Sequence, residues 1–178
     1  MRAIIALLAA LSAAAVSAQA PAPATPGPEH EMLKKQIGVW DCAVKGPGGE
    51  SKGTSKVKAI NNGLWMQSNF DCDLGGMKFQ GHGLDTYDAT KKKYVSVWTD
   101  SMSASPVIFE GDYDPVKKTL TLTAKEATPG PDGKHAKMKT VTTYVDDDHM
   151  NFAMHMDASS PAEPMMTIQY ARRKTEKK

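Results

Sequence analysis

The chain has 178 residues, of which 40% are hydrophobic and 24% charged, ordinary values for a single globular domain that exclude disorder of the whole chain. The formal net charge is only +2, whereas a basic nucleic-acid binder carries a far larger surplus, so no nucleic-acid partner is expected. Two cysteines are too few for a disulfide-dense scaffold or a four-thiolate zinc site.

Residues 1–18 have the layout of a secretory signal peptide. Arg2 precedes an apolar run that reaches about Val16, and small residues follow, so that cleavage is expected after Ala18. The run is shorter than the roughly 20 apolar residues that a membrane span needs, and no other stretch of the chain is a candidate span. The sequence therefore predicts an exported protein, either periplasmic or secreted.

The segment 19–28 holds four prolines and no large apolar side chain. Such a composition cannot bury a core, and it predicts an extended linker. The folded domain is then expected over 29–174, followed by a basic tail at 175–178.

One short helix and about ten strands are predicted after the linker. The helix starts at Pro28, places Met32, Leu33 and Ile37 on one face and ends at Gly38. Beyond it the apolar residues recur with a period of two, which is typical of strands with one buried face. The predicted strands are about 39–45, 54–61, 64–73, 77–88, 92–100, 106–113, 118–126, 136–146, 149–157 and 164–173.

Short strands joined by tight turns predict an all-β fold. Asn61-Asn62-Gly63 and Gly75-Gly76 are typical hairpin turns. No helical pattern follows that could serve as a crossover, so a parallel sheet is not expected. An open sheet of ten strands would leave long edges exposed, and closure removes them. We therefore predict an up-and-down antiparallel β-barrel.

Trp40 and Arg172 are predicted to form a structural pair where the first and last strands meet. A short helix, then Gly38-Val39-Trp40, and an arginine on the final strand resemble the lipocalin arrangement, in which a guanidinium lies over the tryptophan ring. Arg172 and Arg173 are the only arginines after the signal peptide, against nineteen lysines. The alternative is a basic tail that is merely solvated.

Motifs along most of the domain resemble a family of exported bacterial domains of unknown function, family 1579. The matching segments are WDC (40–42), GLW (63–65), GGMKFQGHG (75–83), YD (87–88), KKKYVSVWTDSMS (91–103), EGDYD (110–114), VDDD (145–148) and YARR (170–173). The resemblance implies a calycin-like barrel. It implies no reaction, substrate or catalytic residue.

Cys42 and Cys72 are a candidate disulfide pair, because an oxidising compartment would allow a bridge. They fall on the first and third predicted strands, and two strand spacings are about 9–10 Å, more than a disulfide spans without curvature of the wall. Two buried free thiols are the alternative.

The barrel is expected to bind a small, mostly apolar molecule in its interior or mouth, since a barrel of this size holds one small ligand or fills itself with side chains. A filled barrel that acts as a structural or interaction module is the alternative. For His82, between two glycines, a pocket lip and a hydrogen-bonded histidine at a bend of the strand both remain open. The predicted pocket-lining residues are Trp65, Phe79, His82, Trp98, Asp100 and Met102.

Catalytic and metal sites are weaker hypotheses. Asp100, Ser101 and His82 could suggest a hydrolase, but no nucleophile elbow accompanies them, so no catalytic residue is predicted. The methionines and histidines of 149–157 have the chemistry of copper ligands, and an inward histidine could bind haem. On a strand, however, the two residue types of 149–157 face opposite ways, so core packing is preferred. No metal or cofactor is predicted, and the oligomeric state is left open.

Overall fold

The computed structural model describes residues 23–124, 137–156 and 163–174. The predicted signal peptide (1–18), the first part of the linker (19–22) and the basic tail (175–178) lie outside the described residues. No helix in the described ranges is long and apolar enough to cross a bilayer.

One short helix precedes ten strands. In chain order these elements are α1 (Pro28–Lys34), β1 (Gly38–Gly46), β2 (Gly49–Ile60), β3 (Trp65–Leu74), β4 (Met77–Asp88), β5 (Lys93–Asp100), β6 (Ser103–Asp114), β7 (Thr119–Ala124), β8 (Met138–Tyr144), β9 (His149–Met156) and β10 (Met166–Arg172).

The strands form a closed antiparallel barrel. Each strand pairs with the next one in the chain, and β10 pairs with β1. At this seam Trp40 lies opposite Arg172, and Val44 lies opposite Ile168. Among the ten described strands, closure leaves no edge unpaired. The predicted all-β, up-and-down barrel of about ten strands with a short N-terminal helix is confirmed.

Asparagine and aspartate side chains shape the turns. Asn61 and Asn62 have φ values of 50° and 57°, in the left-handed region that asparagine tolerates. The carboxylates of Asp88 and Asp114 each accept two backbone N–H bonds from the residues that follow, at 2.9 and 3.0 Å. The local sequence thereby fixes where these hairpins reverse, and hence which residues face inward.

Period-two alternation puts one face of the wall inside. Leu120, Leu122 and Ala124 of β7 are buried, while the threonines between them are half-exposed. At one end α1 covers the barrel, where Leu33 is fully buried and Met32 nearly so. The core is therefore continuous from α1 into the barrel.

The sequence pattern misses the starts of two strands. β2 begins at Gly49 rather than near 54, and β6 at Ser103 rather than near 106. These extensions have no apolar alternation. Pairing of Lys45 with Glu50 and of Asp100 with Ser103 incorporates them into the sheet, so tertiary context overrides the weak local signal.

Candidate functional site

The barrel contains a cavity of about 360 Å³, which lies within the range of roughly 300–1,000 Å³ for small-molecule pockets. Most of its lining side chains are apolar, and the larger ones are Trp40, Phe70, Leu74, Phe79, Trp98, Phe109, Leu120, Leu122, Met150, Phe152 and Ile168. Serines, threonines and two aspartates supply the polar groups. Such a cavity can hold one small, mostly apolar molecule.

The end of the barrel under α1, here the closed end, is formed by Trp40, Met66, Tyr94, Tyr144 and Arg172 together with the helix. Trp40 is fully buried, and its indole N–H donates to the carbonyl oxygen of Gln36 at 2.8 Å. The guanidinium carbon of Arg172 lies 4.0 Å from the centre of the Trp40 ring, within the range of a cation–π contact.

Arg172 also joins three backbone segments: its own strand β10, the residues that follow α1, and the turn between β8 and β9. Its guanidinium N–H groups donate to the carbonyl oxygens of Lys35, Ile37 and Asp147 at 2.9, 2.5 and 2.8 Å. A planar fork of donors suits this role better than a lysine ammonium does. The predicted pair of Trp40 and Arg172 is therefore in contact, and it ties the helix to the barrel seam.

Two tyrosines complete the closed end. The side-chain amide of Gln36 donates to the Tyr144 hydroxyl at 2.7 Å, and the Tyr94 hydroxyl donates to the carbonyl of Glu29 at 3.3 Å. Burial raises the pKa of Tyr94 to about 12 and raises the pKa of Tyr144 as well. Both phenols are therefore neutral at physiological pH.

The opposite end, here the mouth, is formed by half-buried side chains of β4, β5, β8, β9 and β10. Aromatic rings lie on one side and thioethers on the other, with Met154 directly opposite Met166 across the strands. β7 and β9 end, and β8 and β10 begin, at this end. The mouth residues are Phe79, Trp98, Asp100, Met138, Met154 and Met166.

Trp98 is held flat against β4. Its indole N–H donates to the carboxylate of Asp100 at 2.9 Å, and the other carboxylate oxygen accepts the backbone N–H of Met102. A Cβ at Gly81 would lie 2.2 Å from the indole ring. Glycine at this position therefore makes room for a tryptophan ring, and Asp100 is occupied in holding that ring and capping the turn.

Asp85 is an ionisable group inside the cavity. It lies on β4 opposite Ser96 of β5, and the Ser96 side chain is its hydrogen-bonding partner. Burial raises the pKa of Asp85 to about 6 because the charged form is poorly solvated there. The cavity thus has an apolar wall with one carboxyl group in its interior.

The structure brings together only part of the predicted pocket. Phe79, Trp98 and Asp100 line the cavity. Trp65 is half-buried outside the lining, and Met102 lies in the turn after β5 with 60% of its surface exposed. His82 is exposed on the outer face, where its Nδ1 hydrogen-bonds with Asn69 at 2.8 Å. These three residues lie outside the described lining, His82 because odd positions of β4 face inward and even positions face outward.

The two cysteines are free thiols. Both are on inward-facing positions of the same row, Cys42 on β1 and Cys72 on β3, with Gly53 of β2 between them. Two strand spacings of about 9–10 Å separate their backbones, so the candidate disulfide is not formed. Burial raises the pKa of Cys42 to about 12, which keeps this thiol protonated and unreactive.

The metal and haem hypotheses find no ligand set in the described ranges. There, no group of three or more histidine, cysteine, aspartate or glutamate side chains is placed to hold a metal ion. His30 is buried at the closed end, and none of His30, His82, His149 and His155 lines the cavity. His149 instead hydrogen-bonds with Asp146 at 2.9 Å. Met150 and Met154 of β9 line the cavity.

Asp85, Ser96 and the methionines at the mouth were not predicted from the sequence to line the pocket. A signal for Asp85 was present, because it is in phase with Phe79 on a predicted strand and therefore belongs to the same face. The approach of Met138 and Met166 to Met154 depends on the pairing of β8, β9 and β10, which no local pattern shows.

Comparison with known proteins places the fold. A solved structure, that of Rv2717c from M. tuberculosis, matches with a TM-score of 0.60 and 13% sequence identity, over 83% of this chain and 99% of that chain. A likeness at this identity shows a shared fold and no more. Among curated proteins nothing matches. The family described as "Protein of unknown function (DUF1579)" matches residues 25–172, so the chain belongs to this family of β-barrel domains.

Proposed function

We propose that this domain binds one small, mostly apolar molecule inside its barrel. The observation that carries the proposal is the cavity of about 360 Å³. A barrel filled by its own side chains would have no such space, whereas apolar walls with a few polar groups are typical of ligand sites.

The proposal extends to export, for which the first eighteen residues are the support. Protein purified from the periplasm or the medium is expected to begin at Gln19. N-terminal sequencing of that material checks the expectation, and an intact Met1 would contradict it.

The binding test uses the neutral fluorophore N-phenyl-1-naphthylamine, whose emission increases in apolar surroundings. The unmodified domain should bind one equivalent with a saturable rise in fluorescence. Ser105→Trp, at the edge of the cavity, should weaken binding at least tenfold because the indole obstructs entry. The matched control is Ala104→Trp, since Ala104 is the exposed neighbour that is not part of the lining.

Two results would contradict the proposal. One is the absence of saturable binding by the unmodified domain, which would favour a structural or interaction module. The other is an equal loss in both tryptophan variants, because the fluorophore would then bind to the outside of the wall.

A further inference from the structure

The described lining of the cavity carries charge of one sign. Asp85 and Asp100 contribute two carboxylates, and no lysine, arginine or histidine is among the described residues that line the space. Arg172, at the closed end, is committed to three backbone carbonyls and lies 3.4 Å from a carboxylate oxygen of Asp148. Neither carboxylate of the lining therefore has a cation among the described residues as its partner.

The two carboxylates differ in how many hydrogen bonds their oxygens already accept. Asp100 accepts hydrogen bonds from the Trp98 indole and from a backbone amide, so both of its oxygens have a partner. Asp85 hydrogen-bonds with the Ser96 side chain. A carboxylate accepts up to about four hydrogen bonds, so Asp85 keeps acceptor capacity for a ligand in the cavity.

An ionised carboxylate in an apolar enclosure is costly unless a cation or several donors meet it. The tyrosine hydroxyls nearby supply no cation, since a phenol is neutral or anionic, and burial keeps Tyr144 and Tyr170 in the neutral form. An anionic amphiphile would add like-charge repulsion. A ligand with an ammonium group would instead supply the missing partner in a site of low dielectric, where such a pair is strong.

We propose that the cavity selects a cationic amphiphile, an aliphatic amine whose ammonium group binds Asp85 while its hydrocarbon chain lies along the apolar wall toward the mouth. This inference rests on the proposed function and specifies the chemical class of its ligand. Selectivity comes from the single internal carboxylate, and the apolar wall accepts chains of varied structure.

Three ten-carbon probes that differ only in the head group test the inference: decylamine, decanol and decanoate. Each competes with N-phenyl-1-naphthylamine at pH 8 and below its critical micelle concentration. Decylamine should bind at least tenfold more tightly than decanol, and decanoate should bind most weakly. Asp85→Asn should abolish the difference between decylamine and decanol. The matched control, Asp100→Asn, should retain the difference.

A second measurement uses the unmodified domain. Decylamine affinity should fall about tenfold for each pH unit below about 6, since protonation of Asp85 removes its charge, whereas decanol affinity should stay constant. A primary amine is protonated throughout this range. The groups that the structure places beside Asp85 do not titrate between pH 5 and 8: Met66 and Ser96 lie opposite it on the neighbouring strands, and burial raises the pKa values of Tyr144 and Tyr170.

The outcomes separate the two proposals. Binding of decanol without a preference for decylamine, or a preference that survives Asp85→Asn, overturns the amine inference and leaves the ligand-binding proposal standing. Tighter binding of decanoate than of decylamine overturns the inference as well. Failure of all three probes and of the fluorophore overturns both.

Discussion

The two ends of the barrel are built from different chemistry. At the closed end, Trp40 and Met66 are fully buried, and hydrogen bonds of Trp40 and Arg172 link β1 and β10 to the residues after α1 and to the β8–β9 turn. At the mouth, the rings of Phe79 and Trp98 and the side chain of Met154 are only half-buried. Their apolar surface faces the cavity.

This difference indicates which end of the barrel contributes more to the stability of the fold. A residue buried on every side contributes the full transfer and packing energy, whereas one that faces an open space contributes less. We infer that the closed end stabilises the barrel, which allows the mouth to be less tightly packed and to admit a ligand. The following predictions test this division of roles between a stabilising closed end and a less tightly packed mouth, starting with the largest expected effect.

The first comparison is between Met66→Ala and Met154→Ala, which truncate the same residue type at the closed end and at the mouth. Met66→Ala should lower the free energy of unfolding by about 2–5 kcal/mol because it leaves a cavity in a closed core. Met154→Ala should cost only about 1 kcal/mol, since its side chain already borders empty space. Chemical denaturation of both variants measures the values. Equal losses would refute the division between the ends.

The second comparison is between Asp85→Asn and Asp100→Asn, which neutralise the carboxylate in the interior and the one at the mouth. Because the folded-state pKa of Asp85 is about 6, above its ordinary value of 3.8, the folded protein binds this proton more tightly than the unfolded chain does. The carboxyl group therefore costs no stability below about pH 4, and its full cost is present above pH 6.

Without ligand at pH 8, Asp85→Asn should raise the free energy of unfolding by about 1–3 kcal/mol, and the gain should vanish near pH 4. Asp100→Asn should give no gain, since it weakens the bonds to Trp98 and to the turn. Denaturation at pH 4 and pH 8 measures both. A pH-independent effect of Asp85→Asn would show that its carboxyl group is not desolvated.

The third comparison is between Arg172→Lys and Arg173→Lys, a half-buried guanidinium and the exposed arginine that follows it in the chain. Arg172→Lys should cost about 1–2 kcal/mol, because a lysine cannot reach three carbonyls and stack on Trp40 together. Arg173 forms an exposed ion pair with Asp41, and such pairs contribute less than about 1 kcal/mol. Thermal unfolding compares them, and a larger loss for Arg173→Lys would contradict the proposed role of Arg172 as the structural arginine.

Much of the fold was predictable because its signals are local. Alternation along Leu120, Leu122 and Ala124 and the turn residues Asn61 and Asn62 each specify their own segment. Trp40 and Arg172 could be paired in advance because closure of an up-and-down barrel must bring the first and last strands together. The site was less predictable: His82 and Trp65 are conspicuous residue types, but their positions in the alternation face away from the cavity.

The sequence by itself determined that the chain forms strands, where those strands turn, and which residues lie on the same face, since all three follow from steric and hydrophobic effects within a few residues. Only the tertiary structure decided that the interior keeps a cavity, that Asp85 is left there with one side-chain partner, and that Cys42 and Cys72 lie apart on either side of Gly53. These features depend on the curvature of the wall and on how completely side chains from opposite strands fill the space between them, and both are properties of the closed barrel as a whole.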